Sequence, residues 1–140
     1  MAISQAITSS FKKEVLQGVH NLDTDTFKLA LYTNSANLSS ATIVYISDNE
    51  VSGTGYTAGG TTLTNLGVSL SGTIAYADWN PATWSNATFS NVAAGLIYNA
   101  SKGNKTVAVL NFGGEYAVTS QDFTVTFPDN NSLTAPIIFN

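Results

Sequence analysis

The chain contains no cysteine and no arginine. Without cysteine there is no disulfide framework and no thiolate metal site. Without arginine, phosphate contacts would rest on five lysines, Lys12, Lys13, Lys28, Lys102 and Lys105. Cations that few and that scattered cannot line a nucleic-acid groove. Charge of either sign is scarce: 10% of residues are charged and the net charge is −4, against about 25% charged in an ordinary globular chain. That balance also disfavours anionic membrane surfaces. Long apolar runs are missing, and none approaches the roughly 18 residues of a membrane span. The opening MAISQAITSSFKKEVL lacks the basic start and apolar block of a secretory signal, so the expected site of synthesis is a cytoplasm.

Catalytic groups are equally thin. The one histidine is His20. A general base needs a nucleophile and an orienting group, and there is no Gly-x-Ser-x-Gly sequence. The expectation for His20 is a surface residue at a helix end, where a cation is favoured. Asp23 with Asp25, and Asp48 with Glu50, are spaced acidic pairs. A calcium site needs six or more oxygens, and neither segment has the EF-hand loop pattern, so turn chemistry is the expectation for both. Glycoside hydrolysis by Asp48 and Glu50 would require a flanking substrate cleft. The glycines at 53, 55, 59 and 60 lack the following Lys-Ser/Thr and helix of a phosphate loop. The expectation is therefore no enzyme, no cofactor and no metal. Five Asn-x-Ser/Thr sequons, at Asn37, Asn86, Asn99, Asn104 and Asn130, follow from a chain with 14 Asn and 33 Ser plus Thr.

What is present is apolar and small polar. Hydrophobic residues make up 44% of the chain, which excludes a disordered reading of the low charge. A chain of 140 residues is expected to form one domain, 1–140, burying roughly two thirds of its unfolded surface. Ile3, Ile7, Phe11, Val15 and Val19 recur every four residues and predict one helix over about 4–20, with Ser4 as N-cap and Gly18 near its end. From residue 26 the period changes to two. Strands are predicted over Thr26–Thr33, Thr42–Ile46, Thr61–Leu70 with a bulge near Asn65, Thr73–Trp79, Thr83–Phe89, Ala94–Tyr98, Thr106–Phe112, Asp122–Phe127 and Ala135–Phe139. Ala94–Tyr98 and Thr106–Phe112 form the clearest hairpin, ended by Gly113-Gly114. Ser47–Gly60 reads as a long exposed loop. The sum is a mainly β fold: an antiparallel β-sandwich, jelly-roll-like, with one N-terminal helix. The Trp79 and Trp84 rings fit core packing better than an interface.

Three stretches carry more than composition. DTFKLALYT from Asp25, EVSGTGYTAGG from Glu50 and GLIYN from Gly95 resemble small virion proteins of tailed bacteriophages, over most of the chain up to Phe127. EVSGTGYTAGG is the most specific of them. The resemblance extends to capsid cement (decoration) proteins. It implies a jelly-roll-like body that binds as a homodimer to the outer surface of the shell. The partner would be the major capsid protein, and the protein would be made in the host cytoplasm. It carries no catalytic residues. Two contact regions are expected: the loop with Glu50, Val51 and Tyr56, and the N-terminal segment with Phe11 and Lys12. That helix could equally cover a sheet face. The alternative is a tail or fibre component binding a host glycan, with the Trp79–Trp84 segment stacked on sugar. Either contact would rest on aromatic, aliphatic and backbone groups and depend weakly on salt.

Overall fold

The computed structural model describes residues 2–139. Strands hold 53% of the chain and helix 8%, so the mainly β reading holds. In chain order the elements are β1 (Ala2–Ile3), β2 (Ala6–Ile7), α1 (Ser9–Leu16), β3 (Phe27–Thr33), β4 (Asn37–Leu38), β5 (Thr61–Thr62), β6 (Asn65–Ser71), β7 (Ile74–Trp79), β8 (Ala82–Asn99), a 3-10 turn (Ala100–Lys102), β9 (Lys105–Val125) and β10 (Ile137–Phe139). They form a five-stranded sheet β2-β9-β8-β3-β5, a three-stranded sheet β10-β7-β6, and the pair β1-β4. All pairings are antiparallel except β1 with β4. A jelly roll winds eight strands through two Greek keys; here the sheets hold five, three and two.

The larger sheets and the helix share one core. It includes Phe11 from α1, Phe27, Leu29 and Leu31 from β3, Trp79 from β7, Trp84 and Phe89 from β8, and Ile137 from β10. A second cluster lies on the other face of β3, where Ala30 and Tyr32 meet Leu38, Leu96, Tyr98 and Val109. β3 is therefore buried on both faces, because the 36–46 segment and β1 cover its second side. Both tryptophans are core residues.

The helix is shorter than its sequence period. Residues 4–8 are drawn into sheets: Ala6 and Ile7 pair with Val109 and Ala108, and the Thr8 N–H donates to the Val107 carbonyl at 3.0 Å. Thr8, not Ser4, occupies the N-cap, with extended backbone and no side-chain cap. Its hydroxyl meets the Thr106 and Val107 carbonyls instead. Ile3 packs in the second cluster and Ile7 in the main core, so the four-residue spacing is satisfied by strands before it is satisfied by helix. The helix ends as expected near Gly18. The Gly18 N–H bonds the Val15 carbonyl and the Val19 N–H bonds the Glu14 carbonyl, the paired pattern of a Schellman cap.

β8 and β9 fuse four predicted strands into one long hairpin. Its pairing is kept in phase by five register shifts. Gly113-Gly114 does not end it. The pairing jumps from Ala94–Asn111 to Val92–Tyr116, so four residues of β9 bulge opposite one of β8. Thr42–Ile46 is not a strand. It hangs on the end of the hairpin through a single bridge, Val44 to Lys105, and the bonds Tyr45 N–H to Asn104 and Thr106 N–H to Ile43. The breaks at Ser71-Gly72 and Asn80-Pro81 and the irregularity after Asn65 fall where the sequence places them.

Candidate functional site

Three features combine polar or exposed groups in unusual ways. The first centres on Glu50, at the start of the glycine-rich loop. The carboxylate takes hydrogen bonds from the Tyr45 hydroxyl (2.6 Å), the Tyr56 hydroxyl (2.5 Å) and the Gly59 N–H (2.8 Å). The Tyr56 oxygen in turn accepts the Leu31 N–H of β3 at 2.9 Å, and its ring lies against Trp84 and Phe89. The Tyr98 hydroxyl donates to the Gly59 carbonyl at 2.5 Å and its ring stacks on Tyr45. The loop is thus stitched to the five-stranded sheet rather than free. Gly60 makes the closest approach: a Cβ there would fall 1.8 Å from the Leu29 carbonyl oxygen, at φ +82°. Burial, and behind it the negative charge of Glu50, raises the hydroxyl pKa of Tyr98 to about 12. Tyr32, Tyr45 and Tyr56 are raised as well, burial first.

The second feature surrounds His20. Its side chain is buried, which corrects the expectation of a surface residue. The Asn99 amide N–H groups donate to His20 Nδ1 (2.9 Å) and Asp25 Oδ2 (2.8 Å). The ring proton therefore sits on Nε2, which donates to Glu14 Oε1 at 2.9 Å. Asp25 also accepts the Asn21 N–H and lies 3.6 Å from Lys102 Nζ. Burial pushes its carboxyl up, but the Asn21 N–H, the Asn99 amide and Lys102 outweigh it and hold the pKa below the ordinary value. Both imidazole nitrogens are engaged, so this cluster ties the helix end to the β8–β9 turn. Asp23 points elsewhere: its Oδ1 accepts the Val68 N–H at 2.7 Å. Asp23 therefore caps β6, while Asp25 holds Asn21 of its own loop and Asn99 at the end of β8. Among the described residues no group of three or more His, Asp and Glu could hold a metal ion.

The third feature is strand β6. Its apolar residues are the exposed ones: Leu66, Val68 and Leu70 are 40, 48 and 72% exposed. Their alternating neighbours Asn65, Gly67 and Ser69 are less exposed. β6 is the edge strand of its sheet, and Asp23 caps its backbone at Val68. Between Glu50 and Asp78 the chain has no charged residue. Beside this strand lies a groove whose walls include Val15, Leu22, Val68, Ala75, Ile137 and Phe139.

No protein-family model, curated protein or solved structure matches the chain. The functional reading therefore rests on the residues themselves. Of the five contact candidates, Phe11 and Val51 are buried in the core. Phe11 also packs its ring on His20. Glu50 and Tyr56 are half-buried and bound to each other. Lys12 is exposed. The structure does not bring these five together as an open surface: the apolar candidates are held inward by the same packing that makes the helix and loop fold. Asn99 escaped the sequence reading because an Asn before Ser-Lys-Gly reads as turn chemistry. Its double role needs His20 and Asp25 brought from 79 and 74 residues away. Among the described residues no helix is long and apolar enough to cross a membrane.

Proposed function

We propose that the chain is a capsid cement protein of a tailed-phage shell, binding the major capsid protein on the capsid exterior as a homodimer. The observation that carries this reading is β6, an amphipathic strand whose apolar side faces solvent inside an uncharged stretch. Large exposed apolar side chains on a regular element mark an interaction surface more often than an accident of folding. A second support is that the histidine and two of the acids act as structural ties: His20, Asp25 and Glu50 each hold a loop to a neighbouring element. The third is the resemblance carried by EVSGTGYTAGG, which here builds the Glu50 knot. A rigid body with an uncharged adhesive face is what a shell-bridging protein needs, since each copy gains avidity by touching several subunits.

Purified protein added to shells that lack it is expected to bind at high stoichiometry and raise their melting temperature. Binding should change little between low and high salt. Shells of equal robustness with and without the protein would overturn the reading. So would its location on tails by immuno-gold labelling. Leu70→Lys should weaken shell binding while leaving the fold intact. The glycan-binding alternative loses its original residues, because Trp79 and Trp84 are buried and cannot stack on a sugar.

A further inference from the structure

β9 has an outer edge that the sheet leaves bare. β8 pairs with it from Lys105 to Val125, but β2 covers its other side only at Ala108 and Val109. Among the described residues, the backbone from Gln121 to Val125 pairs with no strand but β8. The strand also bends. An extended run from Phe112 to Phe123 would span roughly 35 Å, yet both residues line one cleft of about 260 Å³ with Tyr116, Thr124, Val125 and Thr126. The register shifts between Trp84 and Ala94 and the positive φ of Gly113 and Ser120 make that turn. The cleft therefore has two kinds of wall. Phe112, Tyr116 and Phe123 give it aromatic surface, and Phe123 is fixed by Phe89 and Trp84. Thr124, Val125 and Thr126 are consecutive, so their side chains alternate between the two faces of the sheet, and the Thr124 hydroxyl is taken by Thr83. What these three share along the cleft is their backbone, which is the bare edge itself.

We propose that the β9 edge from Asp122 to Thr126 is a docking site for an extended, cationic segment of a partner protein, which adds as a further strand with an apolar side chain in the aromatic cleft and a lysine or arginine beside Asp122. Unpaired strand backbone selects another strand, because each added residue finds N–H and C=O partners. A helix has its own groups bonded internally and gains nothing there. The cleft lies below the roughly 300 Å³ at which pockets for drug-sized ligands begin, a size for one anchoring side chain. Charge selects the sign of the partner. After Lys105 the chain carries no cationic side chain, only Glu115, Asp122 and Asp129. Neither Glu115 nor Asp122 is in an ion pair among the described residues; Asp122 accepts the Asn86 N–H at 2.9 Å and so is held in place beside Phe123. A second copy docked edge to edge would bring together two segments that carry only acids, and like charges across a strand pair destabilise it. The edge belongs to the five-stranded sheet and β6 to the three-stranded one, so this site stands or falls independently of the cement reading.

The test uses the intact protein and two synthetic peptides, acetyl-KTVTLKT-amide and its acidic twin acetyl-ETVTLET-amide, read by NMR titration and amide hydrogen exchange. The lysine peptide should bind at millimolar concentration or below and slow exchange at alternate amides between Asp122 and Thr126. The acidic twin should bind at least about threefold more weakly, as opposite and like cross-strand charges differ, and added salt should narrow that gap. Asp122→Asn should narrow it too, since the amide oxygen can still accept the Asn86 N–H while the charge is gone. Tyr116→Ala removes one wall of the cleft and should weaken both peptides; Tyr116 is 52% exposed, so the melting temperature should hold. The proposal is overturned if the lysine peptide does not bind at millimolar concentration, or if the twins bind equally. It is also overturned if binding leaves exchange at these amides unchanged, if the gap survives Asp122→Asn, or if the protein alone sediments as a dimer that the lysine peptide dissociates, which would make a second copy the occupant.

Discussion

β3 and β6 are both seven residues long, and both alternate apolar with other side chains. β3 lies between β8 and β5 and is covered on both faces. β6 lies at the edge of its sheet and turns its apolar side to solvent. Period two shows which side of a strand is apolar, but what covers that side is a property of the rest of the chain. In β3 the pattern is spent on stability. In β6 it is left available for a partner.

The sharpest way to test that contrast is to cut one leucine from each strand. Leu29→Ala should cost about 2–5 kcal/mol, as for large-to-small changes in a packed core. Leu70→Ala should stay within about 0.5 kcal/mol, as for surface positions. Urea unfolding with unchanged m-values would read both, and equal losses would mean that β6 is packed in solution. Gly60→Ala probes how closely the glycine-rich loop lies on β3. A methyl group there meets the Leu29 carbonyl at a positive φ, so a loss of about 2 kcal/mol or more is expected in the same assay.

Glu50→Gln comes next. An amide cannot accept from both tyrosines and Gly59 in the same way, and the expected cost is about 1–3 kcal/mol. Faster hydrogen exchange at Leu31 and Gly59 would place the loss in the loop; unchanged exchange would show that the loop is held by packing alone. A further loss needs no mutation. Tyr32, Tyr45, Tyr56 and Tyr98 all have hydroxyls raised above the ordinary value of 10.0. Below that value both states are protonated and stability is intact. Above it the unfolded chain releases protons that the folded chain keeps, so stability falls as pH rises from about 10 and continues to fall through about 12, where Tyr98 titrates. A flat unfolding midpoint between pH 9 and pH 11 would contradict the buried cluster. The smallest effect belongs to β6: Asp23→Ala removes one backbone cap and should cost about 1 kcal/mol or less. Its clearer sign would be concentration-dependent association through the freed edge, read by sedimentation.

Much of the architecture is legible where a local signal acts alone. The bulge after Asn65, the turn at Ser71-Gly72, the break at Asn80-Pro81 and the hairpin of 94–98 with 106–112 all follow from neighbours in sequence. Misreadings occur where a distant segment decides. Ile3 and Ile7 fit a helical period, but β4 and β9 offer them partners that a short isolated helix cannot match. Gly113-Gly114 reads as a stop, yet a bulge accommodates it inside a strand that the flanking pairs hold together. The Glu50 knot was half legible. Its residues stand in the most specific stretch of the chain, but Tyr45 and Tyr98 lie 5 and 48 residues away from Glu50 and carry no spacing signal. The candidate contact face was missed for a simple reason: exposure of Leu66, Val68 and Leu70 depends on which strand ends up at the sheet edge.

The contact between Thr8 and Thr106 joins residues 98 apart. Its consequence is one of timing. Ala2 and Ile3 pair with β4, but Ala6 and Ile7 have their partners on β9, so during synthesis β2 emerges long before its partner does. Closing so large a loop costs entropy that only late contacts return. The long hairpin, whose strands are neighbours in sequence, can form first and offer a template. β2 should then dock among the last steps, and a stopped-flow experiment on a truncation lacking residues 1–8 would separate that docking phase from assembly of the sheets.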